Sequence, residues 1–120
     1  MTQGKSCLIV EDDRIIAQHF RMMAARIGLE VCGVVHGWRA AIENAIEHQP
    51  DFIFMDVQLR DTKDGVYAAE EIADKAPNSR VIFLTAYSDQ LTQERMRAQS
   101  PRTILIKPIT EHDLKEAVGL

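Results

Sequence analysis

Short apolar runs alternate with helical repeats along the whole chain. The segment SCLIV, residues 6–10, is apolar without a polar alternation, which predicts a strand buried on both faces. Four similar runs follow, separated by segments whose apolar residues recur every three or four positions, a spacing that predicts helices. The predicted strands are residues 6–10, 29–35, 51–55, 80–86 and 103–106, and the predicted helices are 13–28, 38–48, 65–76, 88–99 and 110–120.

Capping residues and apolar faces define these helices. Asp12 or Asp13 can cap the first helix, and Gly28 can end it. The fourth and fifth helices begin at Ser88 or Asp89 and at Thr110, the last in a pattern close to a capping box. The residues expected to face the core are Ile16, Phe20, Met23 and Ile27 in the first helix and Ala41, Ile42, Ala45 and Ile46 in the second.

The alternation of strands and helices predicts an α/β fold with a parallel sheet covered on both sides. Right-handed crossovers leave few topologies, and five strands favour the flavodoxin-like (βα)5 doubly wound order 2-1-3-4-5. A chain of 120 residues has the length of one domain, so we expect residues 1–120 to form a single domain.

Polar side chains stand at the carboxyl ends of four predicted strands. They are Glu11 and Asp12 after strand 1, Asp56 after strand 3, Thr85 in strand 4, and Lys107 with Pro108 after strand 5. Ligands of such sheets bind at this edge, where the strand order reverses between strands 1 and 3. We therefore expect Glu11, Asp12 and Asp56 to meet there. Strand 2, which ends in Val35 and His36, offers nothing comparable.

These residue types indicate phosphoryl chemistry. Three close carboxylates repel one another, and a hard divalent cation such as Mg²⁺ removes that repulsion. Lys107 adds a second positive charge near Asp56, and Thr85 supplies a hydroxyl donor. A metal, a lysine, a hydroxyl and a nucleophilic carboxylate together can position and neutralise a phosphoryl group in transfer.

Composition and charge narrow the function classes. The net charge of −4 with no basic block argues against nucleic acid or an anionic membrane as the partner. No apolar run approaches the roughly 18 residues of a membrane span, and the first residues do not resemble a signal peptide, so we expect a cytoplasmic protein. Cys7 and Cys32 lie in apolar runs and are expected to be reduced, buried thiols.

Several other side chains carry simpler expectations. The four histidines, His19, His36, His48 and His112, are interpreted as solvated. Trp38 is interpreted as a packing residue. Leu91 and Met96 fit either core packing or, with Ala98, a surface that faces a partner.

In this order and spacing the strand-end motifs resemble the receiver domain of two-component response regulators. The motifs are LIVEDD, FIFMDVQL, IFLTAYSD and ILIKPI. The resemblance implies that Asp56 is the phosphoacceptor, that Asp12 ligates Mg²⁺ directly, and that Glu11 acts mostly through water. It also implies a metal contact from the Gln58 backbone carbonyl, contacts of Thr85 and Lys107 with phosphoryl oxygens, and a cis Lys107–Pro108 peptide bond.

The sequence departs from the common family pattern in three places. Strand 5 carries Ile104 where receivers usually have an aromatic residue, and the segment VQLRDTKDG lacks a frequent proline and is one residue longer. The motif Phe83–Tyr87 resembles the FAT GUY subgroup, which often works with histidine kinases of the HWE or HisKA2 type. We hypothesise that Tyr87 and residues 85–92, which include Thr85, replace the missing aromatic as the mobile element, and that the small Ala86 leaves room beside the phosphoryl group. Alternatively, Tyr87 is a loop aromatic without a switching role.

The resemblance implies transfer of a phosphoryl group from a kinase phosphohistidine to Asp56, followed by a change in a partner-binding surface at helix 4, strand 5 and helix 5. It predicts that the chain catalyses only its own phosphorylation and dephosphorylation. It also predicts that this domain binds neither nucleic acid nor a membrane. A haloacid-dehalogenase phosphatase needs an early Asp-x-Asp, but Gln58 stands in the second position. A flavodoxin-like cofactor binder needs a Ser-, Thr- or Gly-rich phosphate loop after strand 1, whereas the acidic EDD at that place would repel a phosphate. A pseudo-receiver that only binds a partner stays an alternative, as do a stand-alone receiver and a piece of a longer protein.

Overall fold

The computed structural model describes residues 4–86 and 89–119. Within these ranges, five strands alternate with five helices. The strands are β1 Ser6–Val10, β2 Glu30–Val35, β3 Phe52–Asp56, β4 Arg80–Thr85 and β5 Thr103–Ile106. The helices are α1 Arg14–Arg26, α2 Trp38–His48, α3 Gly65–Lys75, α4 Gln90–Ala98 and α5 Glu111–Ala117.

The strands form one parallel sheet in the order β2-β1-β3-β4-β5, which confirms the predicted α/β topology. The central strands β1 and β3 are apolar on both faces because helices cover both faces of the sheet. Their neighbours run in step: Val10 pairs with Met55, and Asp56 pairs with Leu84. This register brings the carboxyl ends of β1, β3 and β4 to one edge.

Alternate strand residues feed two separate core layers. Leu8, Val10 and Met55 face the layer that α2, α3 and α4 cover. Ile9 and Phe54 face the opposite layer, under α1 and α5. The side chains of these strand residues are completely buried, so the sheet forms a rigid base for whatever stands at its edge.

Two residues that were predicted to face the core are exposed. Ile16 in α1 and Ile46 in α2 lie at the flank of their helices. In α1 the buried face includes Ala17 and Ala24 beside the predicted Phe20, and in α2 the predicted Ala41 and Ala45 are buried as expected. Small side chains let a helix approach the sheet closely, so alanines face the sheet and the neighbouring isoleucines turn toward solvent.

The capping residues fix the helix starts. Asp13, and not Asp12, caps α1 by accepting hydrogen bonds from two backbone N–H groups. Asp89 caps α4, and Thr110 forms a capping box with Asp113 at α5. The alternative cap Ser88 lies outside the described residues. Because Asp13 serves as the cap, the Asp12 side chain stays available at the sheet edge.

The remaining general expectations concern the thiols and the membrane. Cys7 is buried, Cys32 is half-buried, and both are free thiols. Burial raises the pKa of Cys7 to about 12, so this thiol stays protonated and unreactive at neutral pH. In the part of the chain that the structure describes, no helix is long and apolar enough to cross a membrane.

Candidate functional site

The carboxyl edge of the sheet collects the polar residues that the sequence places after its strands. Asp56 is the last residue of β3 and Thr85 the last residue of β4, so both stand at the sheet edge itself. Glu11 directly follows β1, and its N–H donates to the Val35 carbonyl of the neighbouring strand. Lys107 follows β5, and its N–H donates to the Thr85 carbonyl. Backbone hydrogen bonds thus position the two groups that the strands do not carry themselves.

Three carboxylates meet at this edge, as their strand positions predict. One oxygen from each of Glu11, Asp12 and Asp56 lies within 4.8 Å of the other two. Glu11 and Asp56 are buried, and Asp12 is half-buried. The cluster therefore has two carboxylates in the protein interior and one at the rim.

Lys107 bridges the two buried carboxylates. Its Nζ lies 2.8 Å from Glu11 Oε1 and 3.6 Å from Asp56 Oδ1. The sequence places this lysine near Asp56, but its shorter contact is with Glu11. The ammonium group therefore neutralises the acidic pair as well as the residue at the end of β3. The peptide bond from Lys107 to Pro108 is cis.

Burial and mutual repulsion shift the acidity of this cluster. Burial raises the pKa of Asp56 to about 8, the neighbouring Glu11 adds to the rise, and Lys107 opposes it. Burial also raises the pKa of Asp12, again with a contribution from Glu11. Burial penalises the charged Glu11 too, but hydrogen bonds from Asp56 and Lys107 outweigh that effect and keep the pKa of Glu11 below its ordinary value. Near neutral pH the cluster alone does not hold three negative charges.

This donor set fits a divalent cation. Carboxylate oxygens are the ligands that Mg²⁺ prefers, and their spacing lets one ion contact several of them. Burial and the neighbouring Glu11 raise the pKa values of Asp12 and Asp56, and the opposing charges of Arg60 and Lys107 do not cancel that rise. A bound cation would favour the ionised carboxylates. Gln58 lies at the rim, where its N–H donates to Asp56 Oδ1 over 3.3 Å.

The start of α3 packs closely against the backbone of Asp56. The Gly65 N–H donates to the Val57 carbonyl, which fastens the start of α3 to the end of β3. A Cβ atom at position 65 would lie 2.0 Å from the Asp56 carbonyl oxygen. Only glycine fits this contact, so Gly65 belongs to the architecture of the site. Gly65 was not among the predicted site residues, although a capping Asp64 followed by glycine at the first helical position is typical of a tight helix start.

Two further side chains at the site were not predicted. His36 Nδ1 lies 2.9 Å from the Glu11 carbonyl oxygen, so the interpretation of this histidine as solvated is wrong. Arg60 Nε lies 3.3 Å from Asp12 Oδ2. The position of His36 at the end of β2 is the sequence feature that indicates its role, since that end borders β1.

Of the residues expected to form a switch, those that the structure describes lie on the β4–β5 side. Ile104 pairs with Phe83 across the sheet, is half-buried and packs on the core under α2, α3 and α4. Ala86 follows Thr85 at the end of β4, and Tyr87 lies outside the described residues. Met96 is buried and Leu91 is exposed, which assigns Met96 to the core and Leu91 to the surface of α4.

Comparisons with known proteins agree with this geometry. Residues 7–119 match the family model of the response regulator receiver domain. The chain is 36% identical to the transcriptional regulatory protein PdtaR of Mycobacterium tuberculosis over 115 residues, which cover 94% of this chain and 54% of PdtaR. The chain thus spans about half the length of that curated relative.

Solved receiver structures share the fold. The signal receiver domain of a modulated diguanylate cyclase from Desulfovibrio desulfuricans G20 superposes with a TM-score of 0.87 at 31% identity, over 94% of this chain and 89% of that one. A chain of the CheX–CheY–BeF3–Mg²⁺ complex from Borrelia burgdorferi superposes with a TM-score of 0.86 at 18% identity, over 95% of this chain and 86% of that one. The latter likeness shows the fold alone.

Proposed function

This chain belongs to the response regulator receiver family, and on that premise we propose that Asp56 accepts a phosphoryl group from the phosphohistidine of a histidine kinase. The observation that carries this proposal is the cluster of Glu11, Asp12 and Asp56 within 4.8 Å, with Lys107 in contact, at the carboxyl edge of the sheet. Neither a structural ion pair nor a helix cap requires three carboxylates at one point. A phosphoryl transfer site that binds a divalent cation accounts for them.

The chain's own residues supply nucleophile, charge and geometry. An oxygen of Asp56 forms a bond to phosphorus while the P–N bond to the donor imidazole breaks and the nitrogen keeps the electron pair. Lys107 lies 3.6 Å from Asp56 and can follow the negative charge onto the phosphoryl oxygens. Thr85, at the end of the adjacent strand, presents its hydroxyl to the same group. Attack by water later returns the carboxylate and releases phosphate.

The acidic cluster would hold Mg²⁺ through Asp12 and Asp56, with Glu11 acting through water and the Gln58 carbonyl as a further oxygen donor. When bound, this ion supplies positive charge to the phosphoryl oxygens and lets a buried carboxylate stay ionised. The pKa of Asp56, raised by burial and by Glu11, explains why the nucleophile needs such a partner at neutral pH.

Phosphorylation would change the surface of α4, β5 and α5. The phosphoryl group adds negative charge and acceptor oxygens that Thr85 and Lys107 can contact. Leu91 on α4 and Ile106 on β5 are exposed large apolar residues on that surface, and a downstream protein partner can bind them. The motif Phe83–Tyr87 and the aliphatic Ile104 support a place in the FAT GUY subgroup, with Thr85, Ala86 and Tyr87 as the mobile element and an HWE or HisKA2 kinase as the donor.

Phosphotransfer from a purified histidine kinase tests this function. With radiolabelled kinase and Mg²⁺, label is expected to move to the wild-type chain and not to Asp56→Asn. The Lys107→Met variant keeps the acceptor but should accept label far more slowly. Labelling of Asp56→Asn at the wild-type rate would exclude Asp56 as the acceptor. Repeating the transfer with kinases of different classes tests the subgroup assignment.

A further inference from the structure

Arg60 lies across the mouth of the carboxylate cluster. It stands four residues after Asp56, and its Nε lies 3.3 Å from Asp12 Oδ2. The Arg60 side chain is 83% exposed, whereas that of Asp12 is 15% exposed. The guanidinium therefore reaches the rim carboxylate from the solvent side.

The backbone of Arg60 is unusual for its place in the chain. Its φ of 49° lies in the left-handed region, which non-glycine residues rarely adopt. Gln49 and Ser100 share a positive φ, but both lie at the carboxyl end of a helix, where this conformation is common. Arg60 lies in the loop between β3 and α3, next to the buried Leu59. Left-handed residues away from helix ends cluster at functional sites.

The two basic side chains that contact the cluster are held differently. Lys107 lies between Glu11 and Asp56, and its side chain is largely buried. Arg60 contacts Asp12 in a pair that solvent screens, and exposed pairs of this kind contribute little stability. Arg60 can therefore exchange its partner at low cost.

We propose that Arg60 is a phosphoryl-binding residue of this site: it pairs with Asp12 in the metal-free site and contacts the phosphoryl oxygens once Asp12 ligates Mg²⁺. This inference rests on the proposed function. Arg60 and the metal compete for the same carboxylate, so metal binding frees the guanidinium beside the acceptor. A guanidinium suits this role because its planar set of N–H donors matches the oxygens of a phosphoryl group.

The role of Arg60 is to hold the group in transfer. With acetyl phosphate as donor, an Asp56 oxygen bonds to phosphorus, the donor P–O bond breaks, and acetate leaves with the electron pair. The N–H groups of Arg60 bind the phosphoryl oxygens through this step, opposite the ammonium group of Lys107. Before metal binds, the Arg60–Asp12 pair has the opposite effect on the reaction. It competes for Asp12 with the Mg²⁺ that the reaction needs, and so lowers the Mg²⁺ affinity of the site.

Two measurements on Arg60→Gln test the proposal. Mg²⁺ affinity is measured by calorimetry, and the rate of Asp56 phosphorylation by acetyl phosphate is measured at saturating Mg²⁺. We expect Mg²⁺ to bind about two- to fivefold more tightly, because a competing exposed ion pair is lost. We expect phosphorylation to slow about tenfold, because a charge-assisted contact is lost. Arg60→Lys should keep the wild-type Mg²⁺ affinity and recover part of the rate.

Lys63→Gln is the matched control. It removes the same charge from the same loop, but the Lys63 ammonium lies 4.9 Å from the centre of the Tyr67 ring. Both measurements should change less than about twofold in this variant. Equal effects of Lys63→Gln and Arg60→Gln would overturn the proposal in favour of net charge alone. Wild-type Mg²⁺ affinity or a wild-type rate in Arg60→Gln would overturn it too. If the wild-type chain and Asp56→Asn are labelled alike, the proposed function fails instead.

Discussion

The two halves of the site are held in different ways. Glu11 and Asp56 stand at the ends of β1 and β3, whose apolar side chains lie almost entirely within the two core layers. Lys107 follows β5, an edge strand that is only partly buried. Helix α4, which follows Thr85 in the chain, buries a single side chain, Met96.

This difference matches the two tasks of a receiver. The carboxylate half must present a preformed set of oxygens, and a close-packed base keeps them in place. In the proposed function the hydroxyl and lysine half responds to a new phosphoryl group, and elements that respond come from the less stable parts of a fold. We therefore expect mutations in β3 to unfold the whole domain and mutations in α4 to act locally.

Phe54→Ala in β3 should give the largest effect. Phe54 is completely buried, and truncation of a buried phenylalanine costs about 3–5 kcal/mol of unfolding free energy. Urea denaturation measures this loss. Leu91→Ala on exposed α4 is the control, with an expected change below about 0.5 kcal/mol. If Phe54→Ala lost less than about 1 kcal/mol, the base of the site would be less tightly packed than its burial indicates.

Met96→Ala should come next and should act on α4 alone. Met96 is fully buried against the core under α2, α3 and α4, and its truncation removes the apolar anchor of the helix, at a cost of about 2–4 kcal/mol. Amide hydrogen exchange should accelerate in Gln90–Ala98 much more than in Phe52–Asp56. Equal acceleration in both segments would show that α4 and β3 unfold as one unit, and the contrast between the halves would disappear.

The sequence was most informative where the chain is buried on both faces. Strands β1 and β5 begin and end at the residues that the apolar runs predict. Glu11, Asp12 and Asp56 meet because the ends of neighbouring parallel strands share an edge, which follows from topology alone. Strand periodicity and right-handed crossovers thus determine both the fold and the acidic cluster.

Strand periodicity and topology do not determine the contacts that loops and long side chains make. Arg60 reaches Asp12 because of the path of the loop after β3, and no periodicity describes that path. Lys107 lies closer to Glu11 than to Asp56 because of its rotamer, which depends on the packed site. Ile16 was placed inward because an isoleucine ranks above an alanine in a hydrophobic pattern, whereas close packing of α1 selects Ala17.

The stability of the metal-free protein should depend on pH through Asp56. Burial raises the pKa of Asp56 from 3.8 to about 8, so the folded state binds this proton more tightly than the unfolded state. The stability from this group is therefore complete below its ordinary pKa and is lost as pH rises toward about 8. In EDTA we expect the unfolding free energy to fall by on the order of a few kcal/mol across this range.

Asp56→Asn and Mg²⁺ are the two controls for this pH effect. The asparagine variant does not titrate at this position, so its stability should change less over the same pH range. Mg²⁺ should restore the stability of the wild-type chain at pH 8, because the carboxylate then has a partner. If the wild type in EDTA kept the same stability from pH 4 to pH 8, the carboxylate half would tolerate its charge without a metal.

The smallest effect should come from the ion pair between Arg95 on α4 and Asp64 at the start of α3. Arg95 on α4 donates from both terminal nitrogens to the Asp64 carboxylate, over 2.8 and 3.0 Å, and Asp64 also caps α3. Burial opposes the charged form of Asp64, but the hydrogen bond from Arg95 outweighs it and holds the pKa of Asp64 below its ordinary value. The pair therefore stabilises the fold above about pH 4 and loses its effect as pH falls further.

A double-mutant cycle with Arg95→Met and Asp64→Asn measures this coupling. Asparagine keeps an oxygen that can accept the capping N–H of Tyr67, so the cycle isolates the ion pair. Both side chains are about one-third exposed, and we expect about 0.5–1 kcal/mol at pH 7, with faster amide exchange in α4. The exposed pair of Glu71 and Lys75 within α3 is the control, because its loss should leave α4 unchanged. A coupling near zero with unaltered exchange would leave Met96 as the anchor of α4, and the two halves would then communicate through β4 and the segment after Thr85 instead.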